Sequence, residues 1–180
     1  MSLTPAETPF DLLTEWDRIC RQSARGLPTG ARVVDDWVGI GFRLCGEQLI
    51  APMNEVSEIL PMPDMIRVPG VRQWVRGLAN IRGSLMPLLD MSQLLRGEPV
   101  DQGKATRVLV IDRKGVLAAL MVEEVFGLRR FKPDMKQAIT GQSPEQLEPY
   151  LDGEFADSQG VWGVFSVDRL VQHEQFMKVV

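Results

Sequence analysis

The sequence is short of the residues from which catalytic and metal sites are made. It has one histidine, His173, and two cysteines, Cys20 and Cys45, which are far apart and outside any C-x-x-C. A zinc site of nitrogen and sulfur ligands would take nearly all of them at once, so no metal is expected. The thiols read as reduced and either idle or buried, not as a disulfide framework. A Ser-His-Asp triad would have to use His173, near the end of the chain, and no G-x-S-x-G precedes it. No G-x-x-x-x-G-K-S/T phosphate loop occurs, and the glycines of WVGIGFRL do not complete G-x-G-x-x-G. Glu123 and Glu124 are adjacent, so on a strand they point to opposite faces, which spoils a shared carboxylate site. The expectation is a protein with no catalytic residue, no metal and no cofactor.

Other shortages narrow the class further. Basic residues do not exceed acidic ones: 20 Lys and Arg stand against 24 Asp and Glu, a net charge of −4. A general nucleic-acid binder needs a basic surplus, and aromatic residues are not interleaved with the arginines, so no nucleic acid is expected as a partner. No run of 18 apolar residues occurs, so no membrane insertion is expected. The opening MSLTPAETPFD is acidic and has no apolar core of a secretory signal, and the expected location is the cytoplasm. Apolar residues make up 44% of the 180 residues and charged residues 24%, an ordinary globular composition. A chain of this length buries about 70% of its unfolded surface and needs no disulfide or metal to hold it.

Periodicity organises what is present. Leu12, Leu13, Trp16, Ile19 and Cys20 form one apolar stripe, which predicts an amphipathic helix over residues 9–25, with Thr8 as cap and Pro9 at its start. The stripe suits either packing on its own domain or docking to a partner. Residues 26–35 read as a linker. Val38, Ile40, Phe42 and Leu44 then alternate with other residues as in a half-buried strand, turning at Gly46-Glu47 into a return strand at 48–52. One helical turn is predicted at 53–56, an extended segment at 57–60, an irregular proline loop at 61–69 and a brief helix at 71–75.

Residues 77–82 and 85–89 read as a hairpin turning at Gly83-Ser84, with an edge or bulge at Pro87. Asp90 caps a short helix, and 96–105 is a loop. Residues 106–112 and 116–122 form a second hairpin, followed by strands at 125–131 and 161–167. Residues 132–160 are acidic with weak periodicity, and Asp168 caps a terminal helix over 169–176 that carries His173 on its surface. Many short strands without regular helical crossovers predict an all-β chain of two small, nearly closed antiparallel barrels.

Charge is segregated. Arg67, Arg72, Arg76 and Arg82 lie in a stretch without acids, between Asp64 and Asp90. Glu145, Glu148, Asp152, Glu154, Asp157 and Asp168 lie in a stretch without bases, between Lys136 and Arg169. Two solvated faces, two partner surfaces or one internal match all suit this pattern.

The run Val75–Asp90, VRGLANIRGSLMPLLD, resembles the G-x-x-N-x-R-G-x-x-x-P-x-x-D signature of CheW-type coupling proteins, through Gly77, Asn80, Arg82, Gly83, Pro87 and Asp90. PMNEVSEIL is similar to the family's V-x-E-I segment, and the 106–125 and 149–171 segments resemble its later strands and last helix. The likeness covers residues 36–175 and is greatest to the PilI subgroup of type IV pilus chemosensory systems. It implies two small five-stranded SH3-like β-barrels, about 36–105 and 106–175 with strand exchange allowed, preceded by the helix and linker at 1–35.

It also implies a non-enzymatic adaptor of chemotaxis or twitching motility, recruited to membrane-bound receptor arrays. The partners implied are a chemoreceptor's cytoplasmic tip, the regulatory domain of a CheA-type histidine kinase, and other CheW-like proteins in rings. The resemblance assigns receptor contact to Val56, Glu58 and Arg82. The residues themselves leave Arg82 open as an ordinary strand-end arginine; a guanidinium there also suits a receptor carboxylate. Gly77, Asn80, Gly83, Pro87 and Asp90 read as structural, the asparagine and aspartate fixing loops through backbone bonds. Ile59, Leu60, Met62, Met65 and Ile66 read either as core or as a kinase surface.

Overall fold

The computed structural model describes residues 9–23, 36–141 and 143–178. They fall into two units, one ending at Val33 and the other starting at Val34. The first holds helix α1 (Pro9–Ser23). Its expected cap Thr8 and the linker at 26–35 lie outside the described residues. Phe10, Leu12, Leu13 and Trp16 are exposed. Glu15 and Arg18, one turn apart, are paired at 2.6 Å.

The second unit is built of strands. In order they are β1 (Trp37–Leu44), β2 (Glu47–Pro52), β3 (Glu58–Pro61), β4 (Met65–Ile66), β5 (Val75–Ile81) and β6 (Ser84–Asp90). Helix α2 (Met91–Arg96) follows, then β7 (Arg107–Arg113), β8 (Val116–Val122), β9 (Glu124–Phe131), β10 (Leu151–Asp157) and β11 (Gly160–Phe165). Two short helices, α3 (Val167–Leu170) and α4 (Glu174–Met177), end the described chain. One sheet has the order β10-β11-β2-β1-β9 and the other β3-β7-β8-β6-β5-β4.

This arrangement corrects two expectations. The ladders are not all antiparallel: β2 pairs with β11, and β6 with β8, in parallel. A parallel neighbour needs a long connection, and the loop at 97–106 together with β7 provides one between β6 and β8. Nor do the sheets divide near residue 105. The chain starts in one sheet, builds the whole of the other from β3 to β8, and returns to the first. Local pattern makes hairpins but does not say which later strand closes beside β2.

The central strands bury both faces, which explains their continuous apolar runs. Val108, Val110 and Ala119 face a cluster inside the second sheet, with Met86 and Leu88. Their neighbours Leu109, Ile111, Ala118 and Leu120 face the large core between the sheets. Likewise Ile50, Trp162 and Val164 fill the first sheet's own cluster with Phe131 and Phe155. Leu49, Ala51 and Phe165 join the core between the sheets.

Three hairpins turn on two residues, both at positive φ: Cys45-Gly46, Arg82-Gly83 and Lys114-Gly115. Such turns match the right-handed strand twist and need glycine at the second place. They shift two of the expected turns by one residue, from 46–47 to 45–46 and from 83–84 to 82–83.

Other differences are local. The brief helix expected at 71–75 is a turn, closed by one bond from Val75 N to Arg72 O at 2.9 Å. The loop at 61–69 contains β4, which adds a sixth, two-residue strand to the second sheet. β10 lies inside the stretch at 132–160; its pattern was hidden by a bulge and by buried Glu154, which accepts bonds from Thr140. The terminal helix is two pieces. Ser166 caps α3, accepting from Arg169 N; Asp168 lies inside the helix and is held by Arg113 at 2.8 and 3.0 Å. His173 is half-buried, flanks α4 and packs edge-on against Tyr150.

Gly77 explains how β4 reaches the sheet. It sits at a bulge in β5 with φ +154, and a Cβ there would run into the Ile66 carbonyl oxygen. Gly77→Ala is expected to lose about 1–3 kcal/mol of stability, read as a lowered midpoint in chemical denaturation with unchanged slope.

Candidate interaction site

The β5–β6 hairpin carries the motif, and its residues divide by role. Asn80 Oδ1 accepts a bond from Gly83 N at 2.9 Å, so the asparagine closes the tight turn. Arg82 occupies the first turn position at φ +51, a conformation that few non-glycine residues adopt. It is therefore not the last residue of the strand but the tip itself. Its side chain is 80% exposed, and its Nη2 meets Glu58 Oε1 at 2.6 Å. Glu58 lies on β3, which β7 and β8 separate from β6 in the sheet order. The pair therefore spans the open side of the curl.

The structure thus brings together two of the three residues assigned to receptor contact. Val56 is the exception. It is buried in the core between the sheets, with Phe42, Leu109 and Val167 around it. Val56 and Glu58 do not share a side: Val56 joins the core between the sheets, whereas Glu58 lies opposite Val110, on the side of the second sheet's own cluster. Val56 is a core residue, and contact through it is corrected.

The five residues assigned to a kinase surface separate by the strand's alternation. Leu60, Met62 and Met65 pack on the second sheet's inner cluster. Ile59 and Ile66 point out, and Ile66 is 75% exposed. The core reading therefore holds for Leu60, Met62 and Met65, while Ile59 and Ile66 are exposed. Leu85, 63% exposed on the same hairpin, was missed; the alternation Leu85, Met86, Pro87, Leu88 in β6 held the information.

The remaining motif residues are structural. Pro87 lies opposite Leu78, one residue before the β6–β8 ladder starts at Leu88, so β6 needs no donor there on that side. Asp90 is fully buried and caps α2. Its carboxylate accepts from Gln93 N at 3.1 Å and from Val100 N at 3.1 and 3.3 Å, which pins the start of the loop after α2. Burial pushes its pKa up, while these N–H groups and Arg76 pull the other way.

A second polar junction, with no local sequence pattern, ties the sheets together. Glu55 lies between β2 and β3, and its Oε2 accepts from Val167 N at 2.6 Å. Arg113, at the end of β7, holds Asp168 and keeps its carboxyl below the ordinary range. Among the described residues, no cluster of His, Cys, Asp and Glu could hold a metal, and no helix is long and apolar enough to cross a membrane.

Two curled, strand-exchanged sheets with a charged residue at a motif hairpin's tip define a class of β-sheet interaction domain. The family model for the CheW-like domain matches residues 38–175, and the chain belongs to that family. It is 41% identical to Protein PilI of Pseudomonas aeruginosa over 98% of this chain and 99% of that one. It is 24% identical to the chemotaxis protein CheW of Thermotoga maritima, over 58% of this chain and 68% of that one. The fold matches the crystal structure of the scaffolding protein TtCheW from Thermoanaerobacter tengcongensis with a TM-score of 0.67, at 15% identity, covering 78% of this chain and 95% of that one. CheW-family scaffold and adaptor proteins are non-enzymatic.

Two variants separate structure from surface. Asp90→Ala leaves the Gln93 and Val100 N–H groups without their acceptor and is expected to cost about 2–4 kcal/mol. Arg82→Ala removes only an exposed ion pair and is expected to cost less than about 1 kcal/mol. Urea denaturation of both proteins checks the contrast.

Proposed function

We propose that this protein is an adaptor that couples the cytoplasmic tips of chemoreceptors to a CheA-type histidine kinase, in a chemosensory system that controls type IV pili and twitching motility. The observation that carries the reading is Arg82. A charged side chain stands 80% exposed at the tip of a rigid hairpin, in a family whose members act by binding. Glu58 holds the guanidinium in place, and a receptor glutamate offers the same carboxylate chemistry. An incoming carboxylate therefore finds an oriented fork and shares it with, or displaces, Glu58. The greater identity to Protein PilI than to the chemotaxis protein CheW supports a pilus output over a flagellar one. The adaptor works at the cytoplasmic face of membrane receptors and needs no membrane span of its own.

Arg82→Glu is expected to weaken binding to receptor fragments at least tenfold, about 1.4 kcal/mol, with its melting transition intact. Calorimetric titration measures this, and unchanged affinity in the folded variant rejects the role. An adaptor acts by joining two partners, so kinase autophosphorylation is expected to pass through an optimum as protein is added to receptor and kinase. A flat response at every ratio overturns the coupling reading. Residues 36–175 are proposed to fold without residues 1–30. The truncated chain is expected to unfold cooperatively in calorimetry, and a molten product would count the helix as core.

A further inference from the structure

Helix α3 has four residues, too few to form a stable turn alone. Two side chains satisfy the N–H groups of that turn. Ser166 Oγ accepts from Arg169 N at 3.3 Å. Glu55, 112 positions away, accepts from Val167 N at 2.6 Å. A cap is ordinarily the residue next to the helix it serves; this one comes from the segment that enters β3. Burial raises the Glu55 pKa, and the Val167 N–H opposes the rise. Arg113, at the end of β7, grips the same helix through Asp168 at 2.8 and 3.0 Å.

The segment that sends Glu55 to α3 also sends Glu58 to the motif tip. It is fixed residue by residue: Val56 is core, Ser57 N donates to Val110 O at 2.8 Å, and Glu58 meets Arg82 at 2.6 Å. The base of the motif hairpin is tied to the C-terminal segment as well. Phe176 stacks on Trp74 with ring centroids 6.3 Å apart, and Trp74 O accepts from Asp90 N at 2.8 Å where the hairpin ends. Residues 166–177 belong to neither sheet. Val167, Leu170, Val171 and Phe176 hold them by burial in the core between the sheets. Such a segment opens without breaking a ladder, as locally unfolding units do.

We propose that residues 166–177 are a conformational brace for the motif tip, latched by Glu55, so that release of α3 loosens segment 55–58 and the Glu58–Arg82 pair while the sheets stay paired. Glu55 is a positioning residue in this device. Its carboxylate touches no partner; it sets how firmly Glu58 is presented to Arg82. The coupling is a property of the free protein and runs in both directions, since whatever fixes segment 55–58 also favours the docked helix.

The experiment is hydrogen exchange by NMR on the full-length protein. Glu55→Ala is expected to speed exchange at least about tenfold at the amides of Leu170 and Val171, at the Ser57 amide and at the Arg82 side chain. Amides of the central β7–β8 ladder are expected to keep their rates. Glu55→Gln keeps an acceptor oxygen and is expected to restore protection at all four places. Glu55→Asp shortens the reach and is expected to shift the same signals less, in a protein closer to the unaltered one. Unchanged exchange at Leu170 and Val171 overturns the proposal, as does faster exchange there with Ser57 and Arg82 unmoved. A uniform rise that includes the β7–β8 ladder overturns it too, because that is plain loss of stability. Receptor and kinase play no part in these readouts, so the coupling of those partners keeps its own test.

Discussion

The rest of the structure depends on burial of both faces of the central strands. β2, β7, β8 and β11 each send alternate residues into a cluster inside their own sheet and into the shared core between sheets. A strand buried on both sides has no surface left for recognition. Chemistry is therefore pushed to the hairpin tips, the edge strands and the outer faces of β4 to β6. The positive-φ turns are a consequence as well: tightly paired, twisted strands leave room for only two linking residues.

At the β5–β6 tip this constraint places an arginine in a backbone conformation more common for glycine. Asn80 holds the turn from one side and Glu58 holds the side chain from another. The ion pair is exposed and contributes little to stability. Its effect is on orientation, since it narrows the rotamers of a long, exposed side chain. The motif therefore combines two kinds of residue. Gly77, Asn80, Pro87 and Asp90 build the hairpin and its exit, and Arg82 is what the hairpin presents.

The two sheets are joined by covalent crossings and by the polar junction of Glu55, Arg113 and Asp168. The bond from Val167 N to Glu55 links residues 112 positions apart in sequence. Burial raises the Glu55 pKa, and Arg113 lowers that of Asp168. The two carboxyls are neighbours, yet their surroundings move them in opposite directions. The junction sits where the chain leaves the first sheet after β2 and where it leaves it again after β11.

Much of the site was legible because its information is local. The alternation at 38–44, the glycine turns and the motif at 75–90 all depend on residues close in sequence, where side-chain period and turn chemistry act directly. The absence of catalytic parts was equally plain from composition. The sequence by itself therefore determined an all-β chain, the motif hairpin with Arg82 near its tip, and Asp90 as a cap. Only the tertiary structure decided that Val56 is core, that Ile59 and Ile66 face out while Leu60 and Met65 face in, and that β2 and β11 are neighbours. The reason is the same in each case. A period of two says that alternate residues share a face, but which face is covered depends on strands far away in the chain. The pairing of Glu58 with Arg82, and of Arg113 with Asp168, was invisible for that reason too: charges meet across space, and the spacing of residues along a strand carries no record of what lies opposite.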